Sequence, residues 1–176
     1  MAKSVEIRLA TAADFSTIES IARKTWPLAY GTLLSKEQLN YMLDLFYSKS
    51  ALKEDILIKK HYYYLAFAQG EAVGFTGIQH QYLPYTTKIH KLYVLPQFQG
   101  HYIGRQLLDF VSQLTKEADG NSLTLNVNRF NLAKLFYEKQ GFTVLRSEDI
   151  LLDFGYVMED YVLTKSLSQF QSQMPC

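Results

Sequence analysis

Residues 89–108 read IHKLYVLPQFQGHYIGRQLL, from Ile89 to Leu108. Ile89 to Val94 is an apolar strand that Pro96 stops. A loop with Gly100 and Gly104 follows, and apolar residues then recur at helical spacing at Ile103, Leu107, Phe110, Val111, Leu114 and Ala118. The pattern predicts strand, tight loop, helix. The first turn of such a helix leaves N–H groups unpaired at the positive end of the macrodipole, so it can hold an anion such as a pyrophosphate, with Arg105 adding a full charge. An ordinary strand-to-helix turn has the same local pattern.

Absent motifs narrow the choice. A nucleotide P-loop requires GxxxxGK(S/T) and a dinucleotide fold requires GxGxxG; neither is in the chain. The loop resembles instead the acyl-CoA signature Q/R-x-x-G-x-G/A of the GNAT superfamily of N-acetyltransferases, through Gln99, Tyr102 and Gly104 in QGHYIG. Tyr102 stands where the family has its first Gly, and a side chain there is expected to take a negative φ with its Cβ directed away from the phosphates. Downstream, after an apolar strand from Leu123 to Val127, comes NLAKLFYEKQGF. It is similar to the family's last helix, N-x-x-A-x-x-x-Y-x-x-x-G-F, with Asn131, Ala133, Tyr137, Gly141 and Phe142 at the family spacing.

Outward from this centre, Val5 to Leu9 alternates like a short strand. Thr11-Ala12-Ala13-Asp14 reads as a capping box opening a helix with Phe15, Ile18, Ile21 and Ala22 on one face, ended by Trp26-Pro27. Ser35 with Gln38 caps a second helix striped by Leu39, Met42, Leu43 and Phe46, and Ser50 opens a short third one to Leu57. The segment TWPLAYGTLLSKEQLNYMLDLFYS is similar to the polyamine-acetylating PaiA branch of the superfamily. Tyr62 to Ala68 and Val73 to His80 form a hairpin across Gln69-Gly70-Glu71, and Thr143 to Arg146 and Tyr156 to Lys165 close the sheet. The resemblance implies an α/β fold in one domain, residues 1–165, followed by a polar tail, residues 166–176. Its mixed, mostly antiparallel sheet of about six to seven strands would carry helices on both faces and one splayed parallel strand pair.

Composition excludes several classes of function. At 176 residues and 48% hydrophobic the chain can bury one sizeable core, and no linker divides it. Lys and Arg number 18 against 17 Asp and Glu, a net charge of +1, so no global field draws in nucleic acid or an anionic membrane. With no apolar leader and no run of about 20 apolar residues, the chain is expected to be soluble and cytoplasmic. The one cysteine, Cys176, is the last residue, which leaves no disulfide, no thiolate metal cluster and no credible nucleophile.

The resemblance also assigns roles. Acetyl-CoA is the implied co-substrate, its pantetheine arm on Leu92, Tyr93 and Val94 and its pyrophosphate on Gln99, Gly100, His101, Tyr102, Ile103, Gly104 and Arg105, with Asn131 as both cap and contact. An N–H near Val94 would polarise the thioester carbonyl. Tyr137 is the general acid expected to protonate the departing thiolate, since a phenol of pKa about 10 keeps its proton at neutral pH. His90 and His80 are candidate bases, while Glu159 and Asp160, or Glu37 and Asp44, are candidate contacts for a polycation. Trp26 and Tyr30 are candidate substrate contacts through their ring faces, with core packing as the alternative. The expected reaction is direct acetyl transfer in a ternary complex to a small amine or polyamine, with no covalent enzyme intermediate, metal, nucleic acid or membrane partner. A homodimer is left open, as are a protein N-terminus or lysine as acceptor, a catalytically silent acyl-CoA sensor, and a plain interaction domain.

Overall fold

The computed structural model describes residues 5–167. In chain order they form β1 (Glu6–Leu9), α1 (Phe15–Tyr30), α2 (Lys36–Tyr47), α3 (Lys49–Leu57), β2 (Tyr62–Ala68), β3 (Glu71–Leu83), β4 (Thr86–Val94), α4 (Ile103–Glu117), β5 (Ser122–Asn128), α5 (Ala133–Lys139), β6 (Thr143–Leu151) and β7 (Val157–Ser166). The strands make one seven-stranded sheet in the order β1-β2-β3-β4-β5-β7-β6, antiparallel except for the parallel pair β4–β5. The α/β architecture expected from the sequence is the one observed.

Local chemistry explains most boundaries. Thr11 N–H donates to Asp14 Oδ2 at 2.8 Å, and Gln38 N–H donates to Ser35 Oγ at 3.1 Å, so both caps are in place. The cap of α3 is Ser48 rather than Ser50, with Ala51 N–H on its Oγ at 3.3 Å. Gln69 and Gly70 both have positive φ, +53° and +80°, the backbone of a type I′ hairpin turn.

Several boundaries differ from expectation: β3 spans Glu71–Leu83 rather than Val73 to His80, and β4 starts at Thr86 rather than Ile89. α1 does not end at Trp26-Pro27 but runs through Pro27 to Tyr30. Pro27 is exposed, so water can serve the Arg23 carbonyl that its missing N–H leaves free, while the Trp26 and Tyr30 rings meet one turn apart, tilted, at 4.6 Å. β6 continues to Leu151 because β7 pairs with it along its whole length. The polar tail does not begin at 166: Ser166 pairs with Ser122, and Leu167 is buried in the core. Cys176 and the rest of the expected tail lie outside the described residues.

Helices cover both faces. α1, α2 and α3 bury Ile18, Ile21, Trp26, Leu43 and Leu52 against Tyr63, Leu65 and Phe75 of the sheet. α4 and α5 cover the opposite face through Leu108, Val111, Tyr137 and the nearby Phe142, against Leu123, Leu125 and Leu163.

The feature that positions the site is a bulge. Ile78 pairs with Ile89 and Gly77 with Lys91, so His90 is an extra residue in β4. A bulge bends its strand. The parallel pairing of β4 with β5 stops at Ile89–Leu125, although the strands run on to Val94 and Asn128. From His90 onward they part, and the sheet is cleft.

Candidate active site

Backbone direction decides what the cleft offers. Leu95 N–H donates to Val73 O at 2.8 Å, and Thr76 Oγ1 donates to Lys91 O at 2.8 Å, which sets the backbone groups of residues 91, 93 and 95 toward β3. Strand alternation therefore turns the N–H and C=O of Leu92 and Val94 into the cleft, where no strand meets them. Tyr93 is a correction: its backbone faces β3, and its ring lies among Trp26, Tyr47 and Phe75 on the other side of the sheet. It is not placed to serve the pantetheine edge.

The loop 99–105 closes one end of the cleft. Gln99 Nε2 donates to Val94 O at 3.1 Å, fastening the loop to the end of β4. Gly100 has φ +79° with open space around it. His101 Nδ1 turns back onto the carbonyls of Phe98 and Gln99, at 3.3 and 3.1 Å. Tyr102 takes φ +62°, not the negative φ expected of a side chain, and its ring stands 61% exposed. It occupies the left-handed backbone that the family's glycine permits, at the local cost of its Cβ against its own backbone, while the exposed ring meets no further obstruction. Gln106 N–H donates to Tyr102 O at 3.0 Å, so the first-turn N–H groups of Ile103, Gly104 and Arg105 have no carbonyl within the helix. Arg105 is exposed and only 3.8 Å from Asp109, leaving its charge free to turn to an anion.

Gly104 has a second role that its motif does not announce. A Cβ built there would lie 3.2 Å from Phe136 Cζ of α5, so glycine lets the two helices that flank the cleft approach. α5 begins at Ala133, and Asn131 Oδ1 accepts from Ala133 N–H at 2.9 Å, capping the turn that leads in. Tyr137 is buried, ringed by Phe136 and Phe142 at 5.2 and 5.7 Å. Among the described residues the one enclosed side-chain polar atom without a partner is His61 Nδ1. The Tyr137 hydroxyl bonds to no described group, so it is not sealed in. Burial, with the neighbouring Tyr30, holds its pKa above the ordinary phenol range.

On the other face of the sheet lies a cavity of about 920 Å³ between the strands and α1 and α2. Trp26 and Tyr30 both line it. Trp26 is buried and donates Nε1–H to Tyr47 OH at 3.2 Å, so it is a core wall; Tyr30 is half-buried, its hydroxyl 3.5 Å from that of Tyr93. Burial raises the pKa of Tyr30, and the Tyr93 and Asn131 side chains draw it back. His90, the bulged residue, contacts Gln79 Oε1 through Nε2 at 3.0 Å and stacks on His61 at 4.0 Å. Burial, with the positive charge of neighbours such as Lys88 and Lys91, depresses its pKa to about 3. That is poorly matched to a base working near neutrality.

By sequence Asp160 is a candidate polycation contact only. It is 2% exposed, lines the cavity and receives Asn126 Nδ2 at 3.3 Å. Burial first, and the charge of Glu148, push its pKa up. The signal in the sequence was its place in Met158-Asp160-Val162, a carboxylate on an otherwise apolar strand face. Glu159, its neighbour, points the other way and pairs with Arg129 at 3.2 Å; Asp44 holds Arg23, and Glu37 is exposed. Asp160 and Tyr137 both lie close enough to Tyr30 for charge on one to bear on the other. Tyr30 thus stands where the cavity meets the cleft. No group of three or more His, Cys, Asp or Glu side chains suited to a metal occurs among the described residues, and none of the helices is long and apolar enough to cross a membrane.

A family model described as an acetyltransferase (GNAT) domain matches residues 33–153. The chain is 28% identical over 146 residues to the spermidine N(1)-acetyltransferase of Thermoplasma acidophilum, covering 80% of this chain and 89% of that one. The crystal structure of the PaiA N-acetyltransferase from the same organism, in complex with coenzyme A, superposes with a TM-score of 0.77 at 27% identity, covering 93% and 99% of the two chains. A GCN5-related N-acetyltransferase structure from Rhodopseudomonas palustris, 21% identical, gives 0.80 over 95% and 99%, a likeness of fold alone.

Proposed function

Because the chain belongs to the GNAT family of acetyltransferases, with acetyl-CoA as acetyl donor, we propose that it transfers the acetyl group to a small primary amine by direct attack in a ternary complex. Tyr137 is the general acid and Asp160 the general base. What supports transfer is the juxtaposition at the cleft: the outward backbone groups of Leu92 and Val94 lie between free first-turn N–H groups on one side and an unpartnered phenol on the other.

The residues fit coenzyme A part by part. N–H groups of Ile103, Gly104 and Arg105 suit the pyrophosphate, with the Arg105 side chain adding charge. Leu92 and Val94 offer an unpaired strand edge to the amides of the pantetheine arm. Val94 O already accepts from Gln99, so its N–H is the more available group, and it can polarise a thioester carbonyl. The acceptor occupies the cavity, whose volume lies within the range of small-molecule sites. It is a small amine, as spermidine is in the Thermoplasma enzyme's name.

As the nitrogen attacks, the N–C bond forms and the C–S bond breaks. Asp160 takes the proton the ammonium loses before attack; as the C–S bond breaks, Tyr137 gives its proton to the departing thiolate, and the second proton that the nitrogen sheds after attack restores the phenol. A raised carboxyl pKa brings the base nearer to working pH, and a raised phenol pKa keeps the acid protonated. His90 is the bulged residue. Its depressed pKa leaves it a neutral, weak base at pH 7.

Thiol release from acetyl-CoA with a panel of amines tests this. Tyr137→Phe should lower kcat about 100-fold or more with CoA affinity little changed. Undiminished turnover removes the general acid. Absence of thiol release with every amine, while CoA still binds, makes the chain an acyl-CoA sensor.

A further inference from the structure

The charges around the cavity are unequal. Four lysines line it, Lys59, Lys60, Lys88 and Lys91, against two carboxylates, Asp55 and Asp160. Asp55 is already doubly matched: Lys91 Nζ lies 3.0 Å from one oxygen and Lys59 Nζ 3.1 Å from the other. Lys60 and Lys88 meet no carboxylate among the described residues. Lys60 Nζ donates to Leu57 O at 2.9 Å, and Lys88 sits over the Tyr82 ring at 4.4 Å and donates to its hydroxyl at 3.4 Å. Asp160, the remaining carboxylate, is the one assigned to the reacting nitrogen.

These lysines flank one stretch of the wall. Lys59 and Lys60 precede β2 and Lys88 lies in β4, the two strands that border β3. Lys59 and Lys60 thus approach the cavity from the β2 side of β3 and Lys88 from the β4 side. Lys88 is also near enough to Asp160 for its charge to be felt there, as are Glu148 and Arg129, neither of which lines the cavity. A cleft lined by one sign concentrates that field, attracting the opposite charge and repelling its own. A polyamine with its reacting nitrogen at Asp160 would set its other ammonium groups among these lysines.

We infer that the acceptor carries a carboxylate beside its amine, the nitrogen lying at Asp160 and the carboxylate between Lys88 and Lys60, so that an amino acid is preferred to a polyamine. The inference rests on the cavity being the acceptor site of the transferase described above.

A matched four-carbon pair tests it: 4-aminobutanoate and 1,4-diaminobutane, with butylamine as the neutral reference, compared by kcat/KM in thiol release from acetyl-CoA. 4-Aminobutanoate should exceed the diamine by about tenfold or more, and Lys60→Glu with Lys88→Glu should reverse the order. Lys60→Gln with Lys88→Gln, a milder pair checked for native melting, should remove most of the preference. A wild-type preference for the diamine, or a preference that both pairs of substitutions leave intact, overturns the inference. Should all three amines be inert while CoA binds, the transferase reading fails separately. Calorimetry of the same pair on CoA-loaded protein then decides: tighter 4-aminobutanoate upholds the anion site and tighter diamine overturns it.

Discussion

Asp160 carries opposite consequences for rate and for stability. Its folded pKa is raised, first by burial, so between the unfolded value and the folded one the native state binds the extra proton and stability falls as pH rises. At neutral pH the carboxylate is thus a cost. Asp160→Asn is predicted to lower kcat/KM about 100-fold or more, to abolish the acid limb of the pH profile, and yet to raise the urea midpoint at pH 7. In the native enzyme that limb should fall away below a pH above the usual carboxylate range. A variant that loses stability and keeps the limb would return Asp160 to a structural role. His90 runs the other way. Its pKa of about 3 in the fold, against about 6.5 when unfolded, means that the unfolded chain gains the proton first on acidification. Stability should be complete above about pH 6.5 and erode as pH falls toward 3. His90→Gln should flatten that erosion, as urea midpoints at pH 7 and pH 4.5 would record; an equal loss in both proteins would contradict burial of a neutral ring.

At the scale of elements, the cleft depends on how closely α4 and α5 approach. A side chain at position 104 would press on Phe136, so Gly104→Val should destabilise by about 1–3 kcal/mol and weaken CoA binding, and Phe136→Leu in the same chain should recover part of both. Additive losses in urea melts and calorimetry would mean that the two helices are not coupled there. Elements governed by local chemistry were legible in the sequence: the Ser35 cap with Gln38, the Gln69-Gly70 turn, and the strand, loop and helix around Gly104. Those governed by distant partners were not. Pro27 suggests a helix end, but Trp26 and Tyr30 packing onto the sheet carries the helix past it. The His90 bulge has no signature in IHKLYV, because it exists only in register with β3. Tyr93 alternates like any strand residue, and only pairing shows which way its backbone faces.

For the whole molecule, one parting of the sheet joins two compartments, the loop and strand edge proposed for coenzyme A toward α4 and α5, and a partly open cavity toward α1 and α2. The family motifs at Gln99 and Asn131 made the first compartment readable. The second is assembled from residues far apart in sequence, Tyr30, Asp55, Lys88 and Asp160, whose neighbours are known only once β7 has inserted between β5 and β6. Residue-resolved amide hydrogen exchange, with and without coenzyme A, tests the central claim most directly. Binding should slow exchange at Leu92, Val94 and the first-turn amides Ile103, Gly104 and Arg105, all unpaired in the free protein, with no comparable change at Tyr93, whose N–H already faces β3. Unchanged exchange at those five positions in protein saturated with coenzyme A would contradict it.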